Sequence, residues 1–249
     1  IGSNIANIGF VLSITAFFFP VKIDWSKCKH DFNFLLFITL VFTLVVFYYQ
    51  KITFFLGIFF ILFLMIYIYF ISKKNRSEDL NKYDESISIT KKPIFKSIFY
   101  LIIGSLSLYF GSDFLVDSAI LIAKEWGVTE RVISISIIAV GTSIPELTAS
   151  IVAGIKNEKQ LAFGNIIGSN IFNILAVLGI TALFTDIQIY TEQIFQKDIW
   201  IMLFFTLSLY VLVKFFFREI LGKTAGLILI ILYTLYVLFL FDLNILNIC

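Results

Sequence analysis

The sequence predicts an all-α polytopic membrane protein whose two halves repeat one another in opposite orientation. Three observations carry that prediction. Of 249 residues, 59% are hydrophobic and 14% charged, with a mean hydropathy of +0.97; soluble domains carry about a quarter charged residues. The apolar residues gather into runs long enough to cross a hydrocarbon core, which takes about 20 helical residues. Residues 1–18 (IGSNIANIGFVLSITAFF) match residues 167–184 (IGSNIFNILAVLGITALF) at 13 of 18 positions.

Taken in order, residues 1–19 read as the remainder of a helix that ends at Pro20. A polar connector, Val21 to Asp31, carries Lys22, Lys27 and Lys29. Spans at 32–49 and 52–71 are separated only by Gln50-Lys51 and predict a tight helical hairpin. Ser72 to Ser97 reads as a long charged loop. Five more spans follow at 98–123, 132–155, 161–184, 199–217 and 224–241. The division is therefore 1–71, a partial repeat helix plus two spans; 72–97, the connecting loop; and 98–249, a second half of five spans.

Orientation follows from the Lys and Arg count. Alternating the loops places 15 of the 19 on the side of loop 72–97 and 4 on the other. That loop is expected to be cytoplasmic, with Cys249 outside. The two cysteines, Cys28 and Cys249, make neither a metal spacing nor a disulfide framework. His30 lies in a polar stretch and reads as a solvated loop residue. With a net charge of +2, and 30 Phe and 11 Tyr assigned to lipid-facing and interfacial positions, no nucleic-acid partner is expected.

The repeat aligns polar as well as apolar residues: Gly2, Ser3, Asn4 and Asn7 fall on Gly168, Ser169, Asn170 and Asn173. The copies lie on the first and sixth spans, an odd number apart, so they cross the membrane in opposite directions. This is the inverted-topology pattern of secondary transporters. Asn165, Ser169 and Asn173 recur at i, i+4 and i+8 and share one helix face, and Ser3 and Asn7 repeat the last pair. Gly164 and Gly168 form a GxxxG expected to admit a close helix neighbour.

The chemistry concentrates in Gly141-Thr142-Ser143-Ile144-Pro145-Glu146. Glu146 lies about 4 Å from the centre of span 132–155 at 1.5 Å per residue. A carboxylate at that depth costs about 2.5–3.5 kcal/mol or more and marks a functional site by default. Pro145 lacks an N–H and so deprives the Gly141 carbonyl of its helical donor. A carboxylate, two hydroxyls and a freed carbonyl are all oxygen ligands, which hard cations prefer. Asp113 and Asp117, also i, i+4, occupy the outer half of span 98–123 and are read as supporting residues of an outward vestibule or as solvated ones. Hydrolysis through Ser143 would need a base. The one histidine, His30, is outside the spans, and Lys214 lies near a span's cytoplasmic end, so no enzyme is expected.

Residues 141–175, GTSIPELTASIVAGIKNEKQLAFGNIIGSNIFNIL, resemble the second alpha-repeat of the cation/calcium antiporter superfamily, and of prokaryotic sodium/calcium exchangers in particular. Residues 1–12 resemble the end of the first alpha-repeat. The resemblance implies ten helices in two inverted halves, of which this chain would supply the last eight, the first incomplete. It implies ion ligands at Thr142, Ser143, Glu146, Ser169 and Asn173, and at Ser3 and Asn7. It implies an integral protein of a prokaryotic inner membrane that exchanges calcium and sodium as transported ligands, with no cofactor, by sliding of the helix at 98–123. Other cation pairs (potassium, proton or magnesium) and a non-transporting fragment are the alternatives. Asn173, where potassium-dependent relatives tend to carry Asp, favours potassium independence. The family's other acid belongs to a Gly-Thr-Ser-x-Pro-Glu expected about 25 residues before Ile1, with a parent chain beginning about 60–75 residues earlier. On that expectation the chain alone does not exchange ions.

Overall fold

In a bilayer every backbone N–H and C=O must be satisfied within the protein, so apolar runs of this length fold as helices. The computed structural model describes residues 1–80, 94–128, 132–189, 193–217 and 220–246. Its helices are α1, Gly2–Phe18; α2, Trp25–Tyr49; α3, Phe54–Leu80; and α4, Ile94–Glu125. Ser136–Thr142 (α5) and Ile144–Ile155 (α6) form one broken span. Helix α7 runs from Lys159–Phe172 through a π-turn, Asn173–Val177, into Leu178–Phe184. Helices α8, Gln193–Val211, and α9, Lys223–Leu246, complete the chain. Among the described residues six helices are long and apolar enough to cross a membrane; the broken pair makes seven, and α1 is a shorter apolar helix. This matches the seven complete spans and one partial span read from hydropathy.

Hydropathy marks where the membrane ends, and helices run past it. The expected connector at 21–31 is helical from Trp25 onward. The expected loop at 72–97 is helical up to Leu80 and again from Ile94, and 81–93 lie outside the described residues. Lys, Arg and Glu are good helix formers, so polarity alone does not stop a helix. The hairpin at Gln50-Lys51 forms. Gln50 closes α2 at φ 51, and Phe34 stacks on Tyr67 of α3 with centroids 4.4 Å apart.

The inverted repeat is visible in packing well beyond the 18 aligned residues. Strand Val21–Lys22 (β1) pairs antiparallel with Ile220–Leu221 (β4), and Lys51–Ile52 (β2) with Ile187–Gln188 (β3). Each pair joins a loop of one half to a loop of the other and fixes both on one side of the bundle. Helix α3 packs on the end of α7, as α9 packs on α1. A Cβ on Gly57 would lie 2.8 Å from the Gly179 carbonyl oxygen, and a Cβ on Gly226 would lie 2.6 Å from that of Ser13. Ser13 and Gly179 are aligned in the repeat, so the two contacts are equivalent. These are the close approaches that small residues allow between membrane helices. The GxxxG at Gly164 and Gly168 is not one of them: a Cβ at either position would meet nothing within 4 Å. They line a small cavity of about 50 Å³ with Cys28, Asp31 and Tyr67 instead.

The core lies where α1, α2, α7 and α8 meet. Phe32 stacks on both Phe163 and Tyr210, and Ile8, Leu35, Ile38, Ile166 and Leu209 are fully buried there. Helix α4 lies outside this core against α5 and α6, with most of its large side chains exposed.

Candidate cation site

The site assembles where the two repeat helices cross beside the broken span. Helix α5 ends at Thr142, and Ser143, at φ −96 and ψ 1, joins it to α6 with a 45° bend. Pro145 therefore occupies the first turn of a new helix, where no N–H is needed, rather than the interior of a continuous one. The Gly141 carbonyl is not left free as the missing Pro145 N–H predicts. The backbone N–H groups at the joint donate to the Gly141 and Val140 carbonyls, Ser143 to Val140 at 3.0 Å, because the chain tightens into a turn there. Gly141 is also where α4 presses on the break: an added Cβ would meet Val116 Cγ2 at 2.0 Å.

Glu146 lies in the first turn of α6, at the positive end of the helix dipole. Its carboxyl group faces Ser169 of α7. Its backbone carbonyl accepts from Asn165 Nδ2 at 3.3 Å, and Asn165 also donates to Ser150 Oγ at 3.3 Å. On the other side, Ser3 Oγ of α1 lies 2.9 Å from Thr142 Oγ1. Thr142 has one proton, within reach of the carbonyls of Ile138 and Ala139 at 2.9 and 3.1 Å. If a carbonyl takes that proton, Ser3 is the donor and the second lone pair of Thr142 remains open.

The two repeat helices are joined through Asn4. Its Nδ2 donates to the Asn170 backbone carbonyl at 3.2 Å, and its Oδ1 accepts from Asn173 Nδ2 at 2.9 Å. Asn173 thus engages α1, while Ser169 is the residue of that face turned to Glu146. Asn7 and Asn173 open π-turns at equivalent points of the repeat, Asn7–Leu12 and Asn173–Val177. Such turns concentrate at functional sites.

Four buried oxygens around this crossing have no protein partner: Asn7 Oδ1, Ser143 Oγ, Glu146 Oε2 and Asn170 Oδ1. A buried acceptor left without a donor costs about 1–3 kcal/mol. Hard cations are satisfied by such oxygens. Among the described residues no cluster of three or more His, Cys, Asp or Glu gathers anywhere. The partnerless oxygens at this crossing are those of one hydroxyl, two amides and one carboxylate.

Of the seven residues singled out by sequence reasoning, the structure brings Ser3 to Thr142, Ser169 to Glu146 and Asn173 to Asn4. Asn7 and Ser143 lie on the same elements, with buried side-chain oxygens that contact none of the others by a hydrogen bond. Sequence reasoning passed over Asn4, which ties the two repeat helices, and Asn170, whose Oδ1 has no protein partner, although their alignment in the repeat signalled them. Asp198, at the start of α8 where hydropathy alone suggests a solvated charge, is instead 1% exposed and accepts from Tyr236 OH at 3.3 Å. Asp31 accepts from Tyr67 OH at 3.4 Å in the corresponding place of the other half. The signal, Asp and Tyr on paired helices of both halves, lay outside the 18-residue match.

The chain is similar to known transport proteins over most of its length. The profile described as sodium/calcium exchanger protein matches residues 1–73 and 96–241. CaxA of Alkalimonas amylolytica is 36% identical over 216 residues, 84% of this chain and 66% of CaxA. The sodium/calcium exchanger MaX1 of Methanosarcina acetivorans is 42% identical over 104 residues, 42% of this chain and 29% of that protein. The solved structure of the sodium-calcium exchanger NCX_Mj soaked with sodium and strontium superposes with a TM-score of 0.73 at 26% identity, covering 94% of this chain and 72% of that one. The chain spans just under two thirds of the length of CaxA and less than a third of MaX1. From the profile match across both halves and the shared helical architecture, the chain belongs to the sodium/calcium exchanger protein family.

Proposed function

We propose that this chain forms the greater part of a secondary active antiporter that exchanges sodium for calcium through the site at Glu146. The observation that carries the reading is the set of buried, partnerless oxygens on Glu146, Ser143, Asn7 and Asn170, beside the break at Ser143. Ser3, Thr142, Ser169 and Asn173 complete the ligand set. Sodium and calcium both take oxygen ligands and differ in charge, so ions competing for one set of oxygens must be carried alternately. Magnesium holds its water tightly and suits a site of dry side-chain oxygens poorly. In proteoliposomes of the complete protein, calcium uptake should require an outward sodium gradient and fail when potassium or a proton gradient replaces it. Equal uptake on a proton gradient without sodium would overturn the choice of ion pair.

The orientation is part of the same reading. On this reading the 72–97 loop lies in the cytoplasm, supported by the lysine and arginine excess on its side of the membrane. A cysteine introduced in that loop should react with an impermeant reagent only in inverted vesicles; ready labelling of intact cells would reverse the topology. The strand pairs β1–β4 and β2–β3 would then exchange sides together.

A further inference from the structure

Helix α4 carries a carboxylate that the ligand set at Glu146 does not use. The helix runs 32 residues, Ile94–Glu125, and Asp113 lies about 5 Å past its midpoint at 1.5 Å per residue. A charge at that depth is costly to leave facing hydrocarbon. Asp113 instead lines a cleft of about 480 Å³ between α4 and the broken span. The same cleft is bordered by Ser105, Tyr109, Ser112, Thr142 and Pro145. One turn further along α4, Val116 makes the contact with Gly141. The cleft thus reaches from Asp113 to the residue whose hydroxyl meets Ser3 in the candidate site.

The chemistry of the lining is that of a weak cation site. It holds one carboxylate and several hydroxyls and leaves room for water. Ser112 donates its proton to the Tyr109 carbonyl at 2.9 Å, so its lone pairs are free to face the cleft. Among the described residues no ammonium or guanidinium group borders the cleft to neutralise Asp113. A cation held here would keep much of its hydration shell, because calcium takes six to eight oxygens and those of the lining are spread along about 12 Å of α4, from Ser105 to Asp113, too far apart to converge on one ion. Thr142, shared by the cleft and the site, is the step at which that water would be exchanged for protein oxygens.

We propose that Asp113 is a transit ligand: it draws a partly hydrated cation into the cleft and hands it to Thr142. The proposal rests on the cation-exchange reading of the Glu146 site, and its test separates the two. In the complete protein with its cysteines replaced by serine, Ser105→Cys places a thiol in the cleft. Millimolar calcium should slow modification of that thiol by a neutral methanethiosulfonate about threefold or more, as occupancy of a weak site does. Adding Asp113→Asn should remove the protection, and Asp113→Glu should restore it. In exchange assays Asp113→Asn should raise the apparent KM for calcium about five- to tenfold at low ionic strength, with the maximal rate little changed, and less at high salt. Protection that survives Asp113→Asn, or a loss of maximal rate at unchanged KM, would overturn the transit role. Asp113-dependent protection in a protein without sodium-driven calcium uptake would uphold the cleft site and overturn the exchange reading alone.

Discussion

Glu146→Gln in the complete protein should reduce sodium-driven calcium uptake at least about 100-fold, to the background of empty liposomes. Gln keeps the length and planar shape of Glu, so packing around α6 and α7 is retained. The charge is lost, and a unit charge about 4 Å from an ion is worth about 4 kcal/mol near a protein surface, doubled for a divalent ion. Each 1.4 kcal/mol is about tenfold in affinity, so 100-fold is a lower bound. Glu146 Oε2 is buried with no protein partner, so the uncharged side chain relieves a desolvation cost and leaves stability equal or higher. Radiolabelled calcium uptake, alongside a thermal melt of the purified variant, distinguishes a lost ligand from a lost fold. Near-normal uptake by a properly inserted variant would remove Glu146 from the site.

Asn4→Ala should be the most destabilising change outside the proposed ligands, and Asn170→Ala, at its repeat partner, should cost little stability. Asn4 is 3% exposed and ties α1 to α7 through two bonds, to the Asn170 carbonyl and from the Asn173 amide. Its truncation breaks both and leaves the Asn173 amide without its acceptor. A hydrogen bond between membrane helices is worth only about 0.6 kcal/mol on average, because the unfolded chain in a membrane also finds partners. An orphaned buried group adds about 1–3 kcal/mol. The expected loss is therefore about 2–4 kcal/mol, with a raised KM for calcium as Asn173 loses its anchor. Asn170 donates only within its own helix, to Ile166 at 2.9 Å, so Asn170→Ala leaves no group of another helix stranded. Its expected cost is below about 1 kcal/mol. Thermal unfolding in detergent measures the pair, and equal losses would refute the bridging role of Asn4.

The legible parts of this protein were those written in one stretch of chain. The number of spans, the inverted repeat, the break near Pro145 and the depth of Glu146 follow from apolar run length, identity between copies, and a proline beside a carboxylate. Helical spacing also placed Asn165, Ser169 and Asn173 on one face. The aligned serine and asparagine pairs brought Ser3 and Asn7 into the same set. Each signal is local, because a bilayer removes most of the alternatives: a long apolar segment there must be a helix.

The tertiary structure decided which surfaces meet. A helix face is fixed by sequence, but the helix it faces depends on the packing of all the others. The sequence could not assign Asn173 to Asn4 and Ser169 to Glu146 from one shared face. Nor could it tell that close helix contact falls at Gly57 and Gly226 while Gly164 and Gly168 border a cavity. Asp198 at a span end is indistinguishable by hydropathy from a solvated charge, and only the position of Tyr236 makes it a buried acceptor. Asp113 is the same case in reverse: its depth was readable, and the cleft that it borders exists only because α4 packs on the broken span at Gly141.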